Sequence, residues 1–391
     1  MNKYSALFVH DHVFLNFNGK VFSEGKITDK VFSRYDVCAD NVRVISRTEK
    51  VKCPSRLVEI THPSVTFVPV RGISFFKVFT IHFFYNFFLL FREFRRVNFA
   101  IIRLPSFLGV FSAFFFILLR KPFFLEMVGH AGEAVRSSRK SSLHVVFFSK
   151  LFDAMVKVIS FKADGVIYVT KDYLQRYYPN SNIVGCASNV EIDLSSAPGL
   201  RTCYSQRRER LVVGLIGSFK NNYKGIDTAI RSISILKNRG VSCELRILGS
   251  GDKCYYLNLA AGFGIKDQIF FDGVRKSGYE VYEWLDGLDL YIQPSLTEGL
   301  PRSLIEAMSR ALPCVASSVG GIPELLEDDW LFAAGDHDSL AEKINCLAND
   351  ESLREEVGKR NYAASKEYDS SELGKKRLRF WSSVREHMDS L

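Results

Sequence analysis

No two cysteines stand at CxxC spacing in this 391-residue chain, although it holds eight, scattered singly from Cys38 to Cys346. That argues against a zinc site and fits reduced thiols in a cytosol. Long apolar runs are missing as well. The longest are FLGVFSAFFFILL (107–119) and FYNFFLLF (84–91), and both fall short of the roughly 20 residues that span a bilayer. The opening residues carry only five unbroken apolar or small side chains, Ser5 to Val9, before His10. No secretory core region is legible there, so the expectation is a soluble or peripheral protein. Internal repeats and low-complexity tracts are absent too, which excludes solenoids and arrays.

What is present describes a folded enzyme-sized chain. Apolar residues make up 47% and charged residues 24%, a globular composition. The length exceeds one ordinary core and predicts two domains. Most of the 33 phenylalanines fall in the first half. So does the charge: the net of +9 divides into +11 over residues 1–200 and −2 over the remainder. A basic half joined to a near-neutral one predicts that the first half meets an anionic partner.

The second half has the clearer pattern. The runs 210–219, 243–251, 268–273, 290–295 and 313–318 read as short buried strands. Helical spacing fills 225–240, 279–289, 301–312 and 338–350 between them. In the first half, 6–10, 42–47, 98–105, 122–129 and 163–170 read as strands. Alternating strands and helices predict an α/β fold of two doubly wound parallel sheets. The expected division is a first domain over 1–192, a polar linker over 193–209 and a second domain over 210–371. A last helix over about 372–391 is expected to pack back on the first domain. Such sheets bind ligands at their carboxyl ends, so two of them would enclose a cleft.

LTEGLPRSLIEA (296–307) places Glu298 and Glu306 eight residues apart, with Gly299 and Pro301 between. An acid near a helix start is favourable through the dipole alone, by about 0.3–1 kcal/mol, so the pair by itself defines no site. Its surroundings add more. The amides of Gly299 and Leu300 would face an anion placed at that helix start. The first strand of the domain ends in GSFKNNYKG (217–225), which brings Gly217, Ser218, Lys220 and Lys224 to the same edge. Cations and a helix start suit a diphosphate, and carboxylates beside them suit sugar hydroxyls.

The stretches PSLTEGLPRSLIEAMSRALPCVASSVGGIPELLE (294–327), GSFKNNYKGIDTAI (217–230), LRILGSGD (245–252) and FFDGV (270–274) together resemble family 4 retaining glycosyltransferases of the GT-B fold. In the first half the likeness rests on IIRLPS (101–106), FLEMVGH (124–130) and ADGVIYVT (163–170), and is closest to bacterial surface-polysaccharide members. The resemblance implies a nucleoside-diphosphate sugar as co-substrate with no other cofactor, and a GT-B fold of two Rossmann-like domains. It gives Glu306 the donor's ribose hydroxyls, Glu298 the transferred sugar, and Lys224 the departing diphosphate. Gly320 and Gly321 would form a turn against the donor. Where the family carries Arg after the first glycine, this chain has Ser218, with Lys220 the possible replacement.

On the acceptor side, His130 is a candidate catalytic residue; an ordinary loop histidine is the other reading, and Glu126 and Glu133 are weaker choices. His10, in HDH (10–12) at a strand end, and Gly19 and Gly25 in a flexible loop are candidates for lining the acceptor site. DHD (336–338) matches the Asp-x-Asp of metal-dependent transferases, but Asp338 reads as a helix N-cap, so no metal is expected. On a helical wheel of 73–96, Phe76, Phe79, Phe83, Phe87, Leu90, Phe91 and Phe94 share one arc. Lys77, Arg92, Arg95 and Arg96 lie away from it. The arc suits either core or an anionic bilayer interface. The expected activity is therefore transfer of a sugar to a glycan or polyprenyl-diphosphate-linked acceptor, in O-antigen or capsule synthesis, on the cytoplasmic face of the plasma membrane. No nucleic-acid partner is expected. A sugar-nucleotide epimerase and a catalytically silent membrane assembly partner are the alternatives.

Overall fold

The computed structural model describes residues 3–25, 27–53, 57–72, 80–137, 143–194, 210–219 and 222–391. In chain order the first domain holds β1 (Ser5–Phe17), β2 (Lys20–Ser23), α1 (Asp29–Phe32), β3 (Asn41–Lys50), β4 (Val58–Glu59), β5 (Val65–Val70), α2 (Phe83–Arg96), β6 (Phe99–Leu104), α3 (Phe107–Leu118), β7 (Phe123–Met127), α4 (Ala131–Ser137), α5 (Leu143–Lys162), β8 (Gly165–Tyr168), α6 (Tyr173–Tyr177) and β9 (Ile183–Cys186). The second holds β10 (Leu211–Ile216), α7 (Ile226–Asn238), β11 (Cys243–Leu248), α8 (Cys254–Gly262), β12 (Ile269–Gly273), α9 (Tyr279–Asp286), β13 (Leu290–Gln293), α10 (Arg302–Ser309), β14 (Cys314–Ser317), β15 (Leu331–Phe332), α11 (His337–Asn349) and α12 (Glu351–Ser365). The helix α13 (Ser370–Ser390) follows.

Strands covered by helices on both faces are buried along their whole length and read as near-continuous apolar runs. Every residue of β6, β7, β13 and β14 is buried. In the second sheet the order is β12-β11-β10-β13-β14-β15, all parallel, so the order reverses between β10 and β13. The first sheet repeats that plan as β5-β3-β1-β6-β7-β8-β9, reversing between β1 and β6. The helix α7 buries Ile226, Ala229, Ile230, Ile233 and Leu236, the stripe its spacing predicts, and ends before Gly240 at φ 77°. Across the domains, α13 lies on the first sheet. Its Trp381 meets the Tyr35 ring at 5.0 Å, and Tyr4 donates to the Met388 carbonyl at 2.9 Å.

Three sequence expectations for the first domain change. His10 does not end a strand. Strand β1 runs on past an irregularity between Val9 and Val13, and its far half pairs antiparallel with β2. Gly19 is not in a flexible loop either: with Asn18 it makes the two-residue turn of that hairpin, the Asn-Gly pair such turns favour. Gly25 lies in a bend just after β2. These residues therefore lie along a β-arm on the far half of β1.

The third change concerns 73–96. Residues 73–79 lie outside the described residues, and the helix starts at Phe83. Within the predicted arc, Leu90 and Phe94 are buried, and the rings of Phe87 and Phe94 pack on Phe115 of α3. The described part of the arc faces the core because α3 lies against it. A different stripe faces outward: Ile81, Phe84, Tyr85 and Phe88, with Phe84 76% exposed. Phe114 and Leu118 of α3 and Leu143, Phe147 and Leu151 of α5 are exposed as well. No described helix is long and apolar enough to cross a membrane.

Candidate active site

At the reversal point of the second sheet, β10 and β13 separate and their carboxyl ends deliver different loops to one place. The β10 loop ends in a helical turn (Asn222–Lys224), and the β13 loop carries Glu298. Lys224 Nζ lies 2.5 Å from Glu298 Oε1, with both side chains mostly buried. The same oxygen accepts hydrogen bonds from Ser295 Oγ at 2.7 Å and Gln293 Nε2 at 3.1 Å. The sequence reading gave Lys224 and Glu298 separate partners; here each faces the other. Ser295 and Gln293 were not foreseen, because a buried polar pair on a strand end carries no pattern of its own.

Glu306 sits one helical turn into α10. Its carboxylate has no hydrogen bond or ion pair to a described residue. Burial pushes its carboxyl up to about 7, opposed only by the Arg302 charge. An acid left desolvated and unpaired is a functional-site signature. The N–H groups of Gly299 and Leu300 likewise donate to no described residue. Two glycines permit this crowding. A Cβ on Gly320, which has φ 58°, would lie 1.9 Å from the Glu298 carbonyl oxygen. A Cβ on Gly299 would lie 2.6 Å from the Val128 oxygen of the other domain. Gly217 closes β10 beside Lys224, and Gly321 donates to the Gly299 carbonyl at 2.7 Å. Ser218 Oγ donates to the Ser250 carbonyl. Lys220 lies outside the described residues.

The first domain brings His130 to this cleft, just after the β7 end that meets Gly299. The imidazole is buried, its Nδ1 3.2 Å from Tyr178 Oη and 3.4 Å from Asp153 Oδ1. Tyr177 packs an edge on it at 4.6 Å between ring centres. Glu133 spans the domains: it accepts from Tyr173 Oη at 3.1 Å and from Thr297 Oγ1, the neighbour of Glu298. Glu126, a weaker candidate, is not at the site. Burial opposes its charge, but Arg103 at 2.6 Å and nearby Arg34 hold its carboxyl below the usual range, and Tyr35 donates to it. A second acid crosses the cleft the other way. Glu324 of the second domain accepts from the amides of Lys171 at 2.6 Å, Asp172 at 3.1 Å and Tyr173 at 2.7 Å, at the start of α6. The sequence gave no sign of this reach, since the acid and its amides lie about 150 residues apart. A cavity of about 530 Å³ opens between α6 and the Gly320–Glu324 loop.

Asp338 does not cap its helix. Asp336 does, accepting from Ser339 N at 3.0 Å, and Asp338 falls in the first turn, where it interacts with the dipole. Among the described residues no cluster of three or more metal-ligating side chains occurs.

Two parallel-sheet domains meeting over a cleft, with a lysine–carboxylate pair at the second sheet's reversal point, define a glycosyltransferase of the GT-B fold. The model of the family described as Glycosyl transferases group 1 matches residues 210–350. The chain is 29% identical over 355 residues to Protein CapJ of Staphylococcus aureus, covering 90% of this chain and 88% of that one. It is 38% identical over 128 residues to the amylovoran biosynthesis glycosyltransferase AmsK of Erwinia amylovora, covering 30% of this chain and 31% of AmsK. Among solved structures, Anabaena HepE in complex with UDP-glucose superposes with a TM-score of 0.66 at 16% identity, over 99% of this chain and all of that one.

Proposed function

We propose that this glycosyltransferase is a group 1 member that moves a sugar from a nucleoside diphosphate to a lipid-linked glycan, with retention of anomeric configuration, in bacterial surface-polysaccharide synthesis. The observation that carries the reading is the Lys224–Glu298 pair at 2.5 Å together with the desolvated Glu306, which pairs with no described residue. The two charges of the pair neutralise each other. A donor diphosphate competes for Lys224 and leaves Glu298, still oriented by Ser295 and Gln293, to accept bonds from the sugar's hydroxyls. Glu306 accepts from the ribose. As the sugar leaves, the diphosphate gains charge, and Lys224 with the Gly299 and Leu300 amides meets it without a metal. The diphosphate takes the acceptor's proton in a front-face attack, so no residue is obliged to act as a nucleophile.

The polysaccharide assignment follows AmsK, and the nucleotide-sugar assignment follows HepE. A lipid-linked acceptor needs a membrane, and the outward face formed by α2, α3 and α5 suits one. Phe84, Phe88, Phe114, Leu118, Leu143 and Phe147 are exposed there, with Arg92, Arg95 and Arg96 at the end of α2. On this reading the enzyme works peripherally on the cytoplasmic face. The silent-partner alternative rests on Ser218, which stands where a second cation is expected.

The test is a thermal-shift screen against nucleotide sugars of different bases and hexoses, followed by assay of transfer to membrane extracts. A bound donor at about 100 Kd adds roughly 2.7 kcal/mol of stability. Stabilisation by no nucleotide sugar overturns the reading; binding without transfer or hydrolysis selects the silent partner.

A further inference from the structure

The geometry points to the cavity between α6 and the Gly320–Glu324 loop as the subsite for the acceptor's sugar ring, a neutral pyranose stacked on Tyr177. This inference rests on the transferase reading and adds where the acceptor sits and what recognises it. Asp172, Tyr173, Arg176 and Tyr177 from the first domain and Gly320 and Glu324 from the second line the space, whose volume of about 530 Å³ admits one or two sugar rings.

The lining has the chemistry of a sugar site. Tyr173 and Tyr177 pack at 5.1 Å, and Tyr177, 47% exposed, offers a ring surface supported from behind by His130. Charged groups stand around the rings: Arg176 and Asp172 pair with each other, and Glu324 rims the opposite side. A pyranose has apolar C–H faces for the tyrosine and hydroxyls at its edge for the rim. The position also fits. Gly320 lies against the Glu298 backbone, and Tyr173 Oη reaches Glu133, which holds Thr297 next to Glu298. A ring on Tyr177 would therefore lie beside the loop that carries Glu298.

The subsite is assembled by both domains. Glu324 holds three amides at the start of α6, so the wall that carries Tyr173 and Tyr177 is fixed from the second domain. Glu324 is thus a positioning residue: its loss loosens α6 and acts on acceptor binding while leaving the donor's contacts in place.

Saturation-transfer NMR with the methyl pyranosides of glucose, galactose, mannose and N-acetylglucosamine tests this, on the full chain with saturating nucleotide. The expected result is transfer to at least one glycoside in the wild type. Tyr177→Phe retains it, because the ring remains. Tyr177→Leu and Glu324→Gln weaken it at least tenfold, with the nucleotide Kd within about twofold of wild type in each. Absence of transfer to every glycoside, or transfer undiminished in Tyr177→Leu, overturns the subsite. Loss of nucleotide binding in the wild type overturns the transferase reading instead, so the two failures are separate. Melting curves show that the variants fold; where Tyr177→Leu does not, Tyr177→Met supplies the same loss of ring.

Discussion

The two domains share one strand order and use its reversal point in opposite ways. In the first, β1 and β6 separate over the start of α3, and Asp11 fills the place. Its carboxylate accepts from Phe107 N at 2.6 Å and Leu108 N at 3.2 Å. Helix starts at such points bind phosphates in nucleotide-binding sheets. Here the chain supplies its own anion, and burial raises that carboxyl against the pull of the two amides. In the second domain, β10 and β13 separate over Lys224 and Glu298, with Glu306 and the Gly299 and Leu300 amides bonded to no described residue. The lesson is about occupancy. A doubly wound sheet offers the same crevice twice, and an internal carboxylate decides which copy is open to a ligand. The first domain's other deeply buried acids follow suit. Glu126 is held by Arg103 at 2.6 Å, and Glu93 by Arg43 at 2.6 Å with Arg92 and Arg96 alongside.

The comparison breaks hardest at Lys224. The departing diphosphate needs its cation more in the transition state than in the ground state. Lys224→Ala should lower kcat roughly 10²–10³-fold with saturating donor. Because the change also unpairs Glu298, its melting curve belongs beside the kinetics, and Lys224→Ala/Glu298→Gln separates the two effects. A wild-type kcat in the single variant removes the leaving-group role.

Glu306 comes next. Glu306→Ala removes charge-assisted hydrogen bonds of about 1.5–3 kcal/mol, roughly 10- to 100-fold in donor affinity by calorimetry. Its pH behaviour sharpens the point. The folded carboxyl sits near 7 against an ordinary 4.5, so between those values the folded chain holds a proton that the unfolded chain has released. This residue's contribution to stability therefore falls as pH rises through that window. Donor binding runs the other way, since the ribose wants the carboxylate: affinity should drop by up to about tenfold per pH unit below about 7. Glu306→Gln should flatten both profiles, and an unchanged pH dependence in that variant counts against the ribose contact.

Asp11→Ala tests the closed crevice. Two helix-start amides lose their acceptor, a cost of about 1–3 kcal/mol in urea unfolding. Added inorganic phosphate should restore part of it in the variant and do nothing for the wild type. Equal responses would show that Asp11 does not occupy an anion's place.

Per residue, the smallest effect is on the surface. Each arginine near an anionic bilayer contributes about 1 kcal/mol, lost within a Debye length. Replacing Arg92, Arg95 and Arg96 by Ser should weaken binding to anionic liposomes, most at low salt, while Phe84→Ser/Phe88→Ser should weaken binding to neutral ones too. Equal wild-type binding to both liposome types would leave the apolar stripe as the sole contact.

The second domain was the more legible because its elements are short, buried and separated by glycine. The stripe of α7 and the punctuation around Glu298 state the local structure directly. In the first domain, β2, β4, β5 and β9 went unread, since short or half-exposed strands lack a continuous apolar run. The aromatic arc of α2 was readable as amphipathic, but which side α3 would cover was not. The site's local parts were likewise visible at Lys224, Glu298 and Glu306. The contacts that cross the cleft, Glu133 to Thr297 and Glu324 to the start of α6, depend on how two separately folded sheets meet, which no local spacing encodes.

The helix α13 has a bearing on synthesis. It covers Tyr35 and strand β9 of the first domain, yet it leaves the ribosome only after the entire second domain. At about 5–20 residues per second, the roughly 200 intervening residues take on the order of 10–40 s. For that interval the first sheet waits with an apolar flank uncovered, a nascent surface for chaperones to hold. The second domain has no such wait, so the order of translation is the reverse of the order of completion.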